Sequence, residues 1–345
     1  MSRSLNAFVG QLLWPLDRAV QIVYLEVSWG LGQGQRRAAN EMSEGRKIWE
    51  TVMYTKQALR ELGVTGDEFT EEHREALDRD GFFVVPDYYT PEQCRQMAVA
   101  FDGLHAAEGD QGGHEVQIEP GAPRVSNIFN KTEAYDTCLE CKPLLAAAHY
   151  LLGEYKIHGA NLRNPLKGQG HQELHVDVPK RFADDWWVIN ALILFDDMTL
   201  SNGPTRVIPG SHRWPPINVP SVNRADWEPE PLSAEEQAMV PEDLEAAHPK
   251  EMLVTAPAGA VVIVNSALWH SGTRNEDGSR RRVLHLTYTR RDLPQQLTQR
   301  DYLTESLYQR MSPPHRFLMD IEPLADGEQV VRQQPKGAES RNWWN

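Results

Sequence analysis

Gln172-Glu173-Leu174-His175-Val176-Asp177 is the stretch on which both fold and chemistry turn. Leu174 and Val176 alternate with His175 and Asp177, which predicts a strand over residues 173–178. Side chains two apart on a strand share a face. His175 and Asp177 can therefore point together into a barrel and offer an imidazole and a carboxylate to one metal ion. A third ligand from a distant strand would complete a two-histidine, one-carboxylate triad with open positions for substrate and oxygen. The spacing alone is common: roughly one His-x-Asp arises by chance in such a composition. His171-Gln172-Glu173 is a rival anchor on the same grounds.

Outward from this stretch the chain is rich in strand signals. Short apolar or alternating runs at 82–85, 156–162, 187–195, 205–208, 251–255, 261–265 and 282–289 are bounded by Gly, Pro, Asn and Asp. Helices are expected at 71–79 behind a Thr cap with a Glu near the third position, from Pro91, and at 143–152, closed by Gly153. Helices followed by many strands predict a mainly β fold with flanking α, an antiparallel sandwich or barrel with helices outside. The Pro-rich, acidic piece 214–250 interrupts the strands and is too long for a turn, so it is expected to be a lid or insertion. Residues 1–66 are expected to be a helical extension. Leu12, Leu13, Leu16, Val20 and Val23 recur at helical spacing, a Gly-rich break follows at 30–34, and a second helix runs over about 36–62. This extension would pack on the main body or make a homo-oligomer contact. Residues 67–322 form the expected main domain, and 323–345 a polar tail.

The 345 residues carry 35 Lys+Arg against 49 Asp+Glu, a formal charge of −14, which repels phosphate backbones and argues against a nucleic-acid partner. The apolar runs fall far short of the roughly 20 residues of a membrane span. The N-terminus, broken by Pro15, Asp17 and Arg18, is not read as a signal peptide. Three cysteines make no disulfide framework, and the single Cys138-x-x-Cys141 lacks a second pair for zinc, so reduced thiols and a cytoplasmic location are expected.

A third ligand stands in a suggestive place. Ala258-Gly259-Ala260 leads into the apolar run 261–265, and His270 follows just beyond it. Taken alone, His270 reads equally well as a surface-loop histidine. Eleven residues on, Arg281 opens the next strand, where a guanidinium can grip a carboxylate through two parallel hydrogen bonds.

In this setting residues 67–291 resemble the phytanoyl-CoA dioxygenase family of iron(II)- and 2-oxoglutarate-dependent oxygenases. Asp80-Gly81-Phe82-Phe83-Val84-Val85-Pro86 resembles the family's first strand, and Gln172–Asp177 its QxLHxD element. Asn202-Gly203-Pro204-Thr205-Arg206-Val207-Ile208-Pro209-Gly210-Ser211-His212 is similar to its NGxTxxxPGSH signature. Ala258-Gly259 and His270…Asn275…Arg281 match the second metal-binding half in order and spacing. The resemblance implies a double-stranded β-helix (jelly roll, cupin-like) core. It also implies that His175, Asp177 and His270 hold Fe(II), and that Arg281 pairs with the far carboxylate of 2-oxoglutarate. Gln172 and Thr205 match positions that contact the cosubstrate in relatives, and Arg124 resembles an upstream arginine that faces cosubstrate or substrate. Asn161 is a further candidate for the same site that reads equally as satisfying a backbone group. The run Arg280-Arg281-Arg282 leaves the assignment of that arginine open by one residue. His212 is expected to hold its loop, and Thr205 reads equally as a turn stabiliser.

The implied reaction consumes O₂ and 2-oxoglutarate, releases succinate and CO₂, and oxidises a small organic or natural-product substrate. Asp177 favours hydroxylation, desaturation or another oxidative rearrangement over halogenation, because related halogenases replace this carboxylate with a small residue. Two other classes compete. One is a noncatalytic jelly-roll module binding a small acid or metal. The other is a zinc hydrolase, which would lack a general base and have no use for Arg281.

Overall fold

The computed structural model describes residues 53–219 and 231–321. The expected helical segments before residue 53, the stretch 220–230 of the insertion and the tail 323–345 lie outside the described residues. The helices are α1 (Thr55–Glu61), α2 (Glu71–Asp80), α3 (Pro91–Glu108), α4 (Ile128–Lys131), α5 (Lys142–Leu152), α6 (Ala234–Gln237), α7 (Glu305–Arg310) and α8 (Pro313–Met319). The strands are β1 (Phe82–Val85), β2 (Arg124–Val125), β3 (Tyr155–Arg163), β4 (Val188–Leu194), β5 (Thr205–Val207), β6 (Met252–Val254), β7 (Val261–Asn265), β8 (His270–Gly272) and β9 (Val283–Arg290).

Two antiparallel sheets result, a six-stranded one in the order β1-β7-β4-β9-β3-β2 and a three-stranded one in the order β6-β5-β8. Period-two alternation sorts the faces of the large sheet. Ile189, Ala191, Ile193, Ile263, Leu284, Leu286 and Tyr288 face the helices and join Leu144, Leu145 and Ala148 of α5 in one buried cluster. Leu192, Leu194, Val262, Val264 and Val283 face the other way and meet Val207 and Val254 of the small sheet. Each such buried aliphatic side chain contributes about 1.5–3 kcal/mol. Buried on both faces, β4 reads as a continuous apolar run broken only by Asn190. That polar interruption marks the interior cavity.

Helix ends follow their chemistry. Thr70 and Thr90 cap α2 and α3 in capping boxes, closed by His73 and Gln93. At α2 the expected glutamate is thus replaced by a histidine. α1 is part of the main body: buried Thr55 hydrogen-bonds the Glu154 carboxylate through N and Oγ1 at 3.0 and 2.9 Å. Its compact unit begins at Met53, so this body starts before the boundary expected at 67. No helix among the described residues is long and apolar enough to cross a membrane.

One expected strand is not regular. Over residues 173–178 only His175 forms a bridge, to His270. The N–H groups of His175 and Asp177 bond His270 and Ser266, while those of Leu174 and Val176 bond Leu244 and Ile217 of the insertion. The backbone is extended, but its outer side is paired to an irregular partner that cannot continue a ladder.

Gly259 shows how tightly the turn into β7 is drawn. Its φ is +92°, and a Cβ there would stand 2.3 Å from the Tyr89 carbonyl oxygen. Gly259→Ala is expected to lower unfolding stability by about 2 kcal/mol or more. Gly66→Ala, with a φ of +98° but open space at Cβ, should cost less in the same urea titration.

Candidate active site

His175 and His270 face each other across the bridge, each donating its N–H to the other's carbonyl at 3.0 and 2.9 Å. Their ring centroids are 4.6 Å apart. Each Nδ1 lies against the carbonyl oxygen two residues back, 2.7 Å to Glu173 and 2.8 Å to Leu268. A carbonyl only accepts, so Nδ1 carries a proton on each ring, and Nε2 is left as the atom a metal would take. Both Nε2 atoms aim at Asp177, whose Oδ1 lies 3.8 Å from His175 and 3.5 Å from His270. One donor atom from each residue falls within 4.8 Å of the others. The sequence-derived triad is thus gathered at one point, and His270 lies on a strand rather than a surface loop.

Burial and the neighbouring His270 lower the His175 pKa to about 4, against the pull of Asp177. Burial acts on Asp177 in the opposite sense, but the two histidines outweigh it and hold the carboxylate ionised. A second group, Glu108, His114 and Glu115, also clusters. There the Lys131 ammonium already stands 2.5 and 2.6 Å from the two carboxylates and closes an ion network.

The triad opens on a cavity of about 260 Å³ between the sheets. Arg281 lies in its wall, 1% exposed, with Nε and Nη1 lacking any hydrogen-bond partner among the described residues. Burial and the nearby charge of Arg163 push its guanidinium below the ordinary value. A buried, unpaired cation of this kind is costly unless an anion joins it. Its neighbours are committed elsewhere: Arg280 pairs with Asp102, and Arg282 with Asp196 and Asp102. Of the three consecutive arginines, Arg281 is the one that lines the cavity.

Gln172, Thr205, Arg124 and Asn161 all line this cavity. The Gln172 Oε1 accepts from Gly272 N at 3.1 Å, and Thr205 pairs with Gly272 across β5 and β8. The Asn161 amide is engaged at both ends, by Ser126 and Gln296. Arg124 Nη1 bonds Glu119 at 2.8 Å, and Arg163 grips the same carboxylate with Nε at 2.9 Å and Nη2 at 2.5 Å. No motif in the sequence marks Arg163 or Glu119. Arg163 sits two residues after Asn161 on β3, so strand alternation alone could have placed it inside. Glu119 lies in a loop without periodicity. His171 is exposed and lines a separate surface hollow, and His212 holds its loop through the Asp78 carbonyl. Trp187 is core, Trp186 packs on His212 and Trp214 packs edge-on against Trp269, so none of them walls the cavity.

The phytanoyl-CoA dioxygenase (PhyH) family pattern matches residues 77–283. The chain belongs to the phytanoyl-CoA dioxygenase family. It is an iron(II)/2-oxoglutarate-dependent oxygenase by that membership. Among its relatives, L-proline trans-4-hydroxylase of Streptomyces griseoviridis is 26% identical over 232 residues, covering 61% of this chain and 83% of that protein. Ectoine dioxygenase of Halomonas elongata is 24% identical over 255 residues, 68% of this chain and 75% of its own. Among solved structures, iron-bound EctD from S. alaskensis is 20% identical with a TM-score of 0.49, covering 64% of this chain and 77% of that one. HygX from Streptomyces hygroscopicus with nickel and 2-oxoglutarate bound is 15% identical with a TM-score of 0.48, covering 65% and 88%.

The shared carboxylate of the arginine pair makes a stability test. Burial raises the Glu119 pKa, but Arg163 and Arg124 outweigh it and hold the group down at about 2. A depressed carboxyl pKa contributes stability that is complete above the unfolded-state value and is lost as pH falls toward the folded one. Glu119→Gln should therefore cost about 3 kcal/mol near neutral pH. Its deficit relative to the wild-type chain should shrink as pH drops from about 5 toward 2 in denaturant titrations.

Proposed function

We propose that this family member is a dioxygenase that hydroxylates a small organic substrate, with release of succinate and CO₂. The observation carrying this is the pairing, in one cavity, of a His-Asp-His donor set with a buried guanidinium that lacks an anion. The residues fit the groups the family implies. Two imidazole nitrogens and a carboxylate suit Fe(II), and a guanidinium fork suits a carboxylate.

When bound, iron and 2-oxoglutarate supply the oxidising chemistry with O₂. His175, Asp177 and His270 would hold the metal, their orientation fixed by the Nδ1-to-carbonyl bonds and by the bridge. Arg281 would pair with the far carboxylate of 2-oxoglutarate. Gln172 and Thr205 flank that path, and Arg124 and Arg163 keep its end positive. Asn161 stands further along the wall. The apolar side chains of Leu192, Val207 and Val264 complete the lining and limit water beside the charged groups. The cavity size favours a small substrate, as do relatives named for L-proline and ectoine. The core is assigned as a double-stranded β-helix, with the Ile217 and Leu244 carbonyls of the described parts of the insertion bonding the backbone of Val176 and Leu174 beside the site.

The test is an anaerobic titration with Fe(II) and 2-oxoglutarate, followed under air by succinate assay. A visible chelate band and succinate release are expected. Band and turnover should vanish in His175→Ala and Asp177→Ala while the far-ultraviolet spectrum is retained. Arg281→Leu should weaken 2-oxoglutarate binding by about 100-fold, the scale of removing one partner of a buried ion pair. Binding of both ligands without any succinate would instead indicate a noncatalytic module.

A further inference from the structure

Along β3 the cavity wall changes character. Arg163 pairs in register with Val283, Asn161 with His285, and Gly159 with Thr287. Two residues separate the basic end from Asn161, about 6.6 Å of strand, and four separate it from Gly159, about 13 Å. This far end is lined by neutral polar groups, among them Asn190, Thr287 and Gln296.

Gln296 is held there by an unusual set of contacts. Its backbone N–H donates to the His158 carbonyl at 2.9 Å, which clamps the loop after β9 across the bulge in β3. Its Oε1 accepts from Asn161 Nδ2 at 2.7 Å, and Asn161 Oδ1 accepts from the buried Ser126 hydroxyl at 2.7 Å. The carboxamide sits directly over Gly159, where a Cβ would stand 2.4 Å from Oε1. With Oε1 engaged, Nε2 is left without a partner among the described residues, in a side chain that lines the cavity.

We infer that Gln296 is a substrate-specificity residue whose Nε2–H groups receive an oxygen acceptor of the substrate, and that the substrate class is a small carboxylate. This rests on the dioxygenase function proposed above and adds the chemistry of its substrate. Charge supports the carboxylate. Arg124, Arg163 and Arg281 in the wall face only Asp177 and Glu119, an excess of one positive charge. Fe(II) and the 2-oxoglutarate dianion cancel each other, so the excess remains for the substrate. Asn161 acts on Gln296 as a positioning residue through its bond to Oε1.

The test uses the anaerobic Fe(II)/2-oxoglutarate form of the full chain and reads its visible band. The probes are the common L-amino acids, each paired with its decarboxylated amine. At least one amino acid should shift the band saturably while its amine does not. Gln296→Leu, which removes the donor, and Gly159→Ala, which displaces the carboxamide while leaving it chemically intact, should each weaken that shift at least 10-fold. Formation of the band in each variant shows that it folds and loads. An amine that shifts the band as strongly as its amino acid overturns the inference. So does a shift retained in Gln296→Leu, or a panel in which nothing binds. Absence of the band in the wild-type protein would defeat the dioxygenase function itself, a separate result.

Discussion

The exchange of backbone hydrogen bonds between His175 and His270 is the constraint on which the site depends. These residues are far apart in the chain, and neither belongs to a long ladder at that point. The bridge places them directly opposite, and the i,i+2 rule brings Asp177 onto the same face. Carbonyl groups two residues back then fix each ring's tautomer. Backbone geometry thus sets all three donors before any ligand is present, which is the preorganisation a metal site needs.

The cavity behind the triad is organised by charge. Three guanidiniums are buried close together, an arrangement that would repel strongly without Glu119 between two of them. Arg281 remains without such a partner. The protein carries that electrostatic cost in its own fold, and an incoming dicarboxylate would relieve it. The side chains Arg280 and Arg282, adjacent in sequence, avoid the problem by pairing with surface-side aspartates.

Much of this was legible in the sequence where periodicity or a motif carried it. The strands at 82–85 and 261–265 form at the expected residues, and β3, β4 and β9 lie within one residue of theirs at every end, because alternating or continuous apolar runs have few other folded uses. The triad and Arg281 were legible through ordered family motifs. What stayed hidden depends on contacts between remote segments. Glu119 meets Arg163 across 44 positions, and Gln296 meets Asn161 across 135. The segment 173–178 alternates like a strand, yet the insertion that bonds its outer side has no strand pattern to signal the irregularity.

The most direct measurement of the central claim is anomalous diffraction at the iron edge from crystals grown anaerobically with Fe(II). A single peak bonded to Nε2 of His175, Nε2 of His270 and a carboxylate oxygen of Asp177 is the predicted result. An iron peak elsewhere, or none at these three residues in fully loaded crystals, would contradict the account.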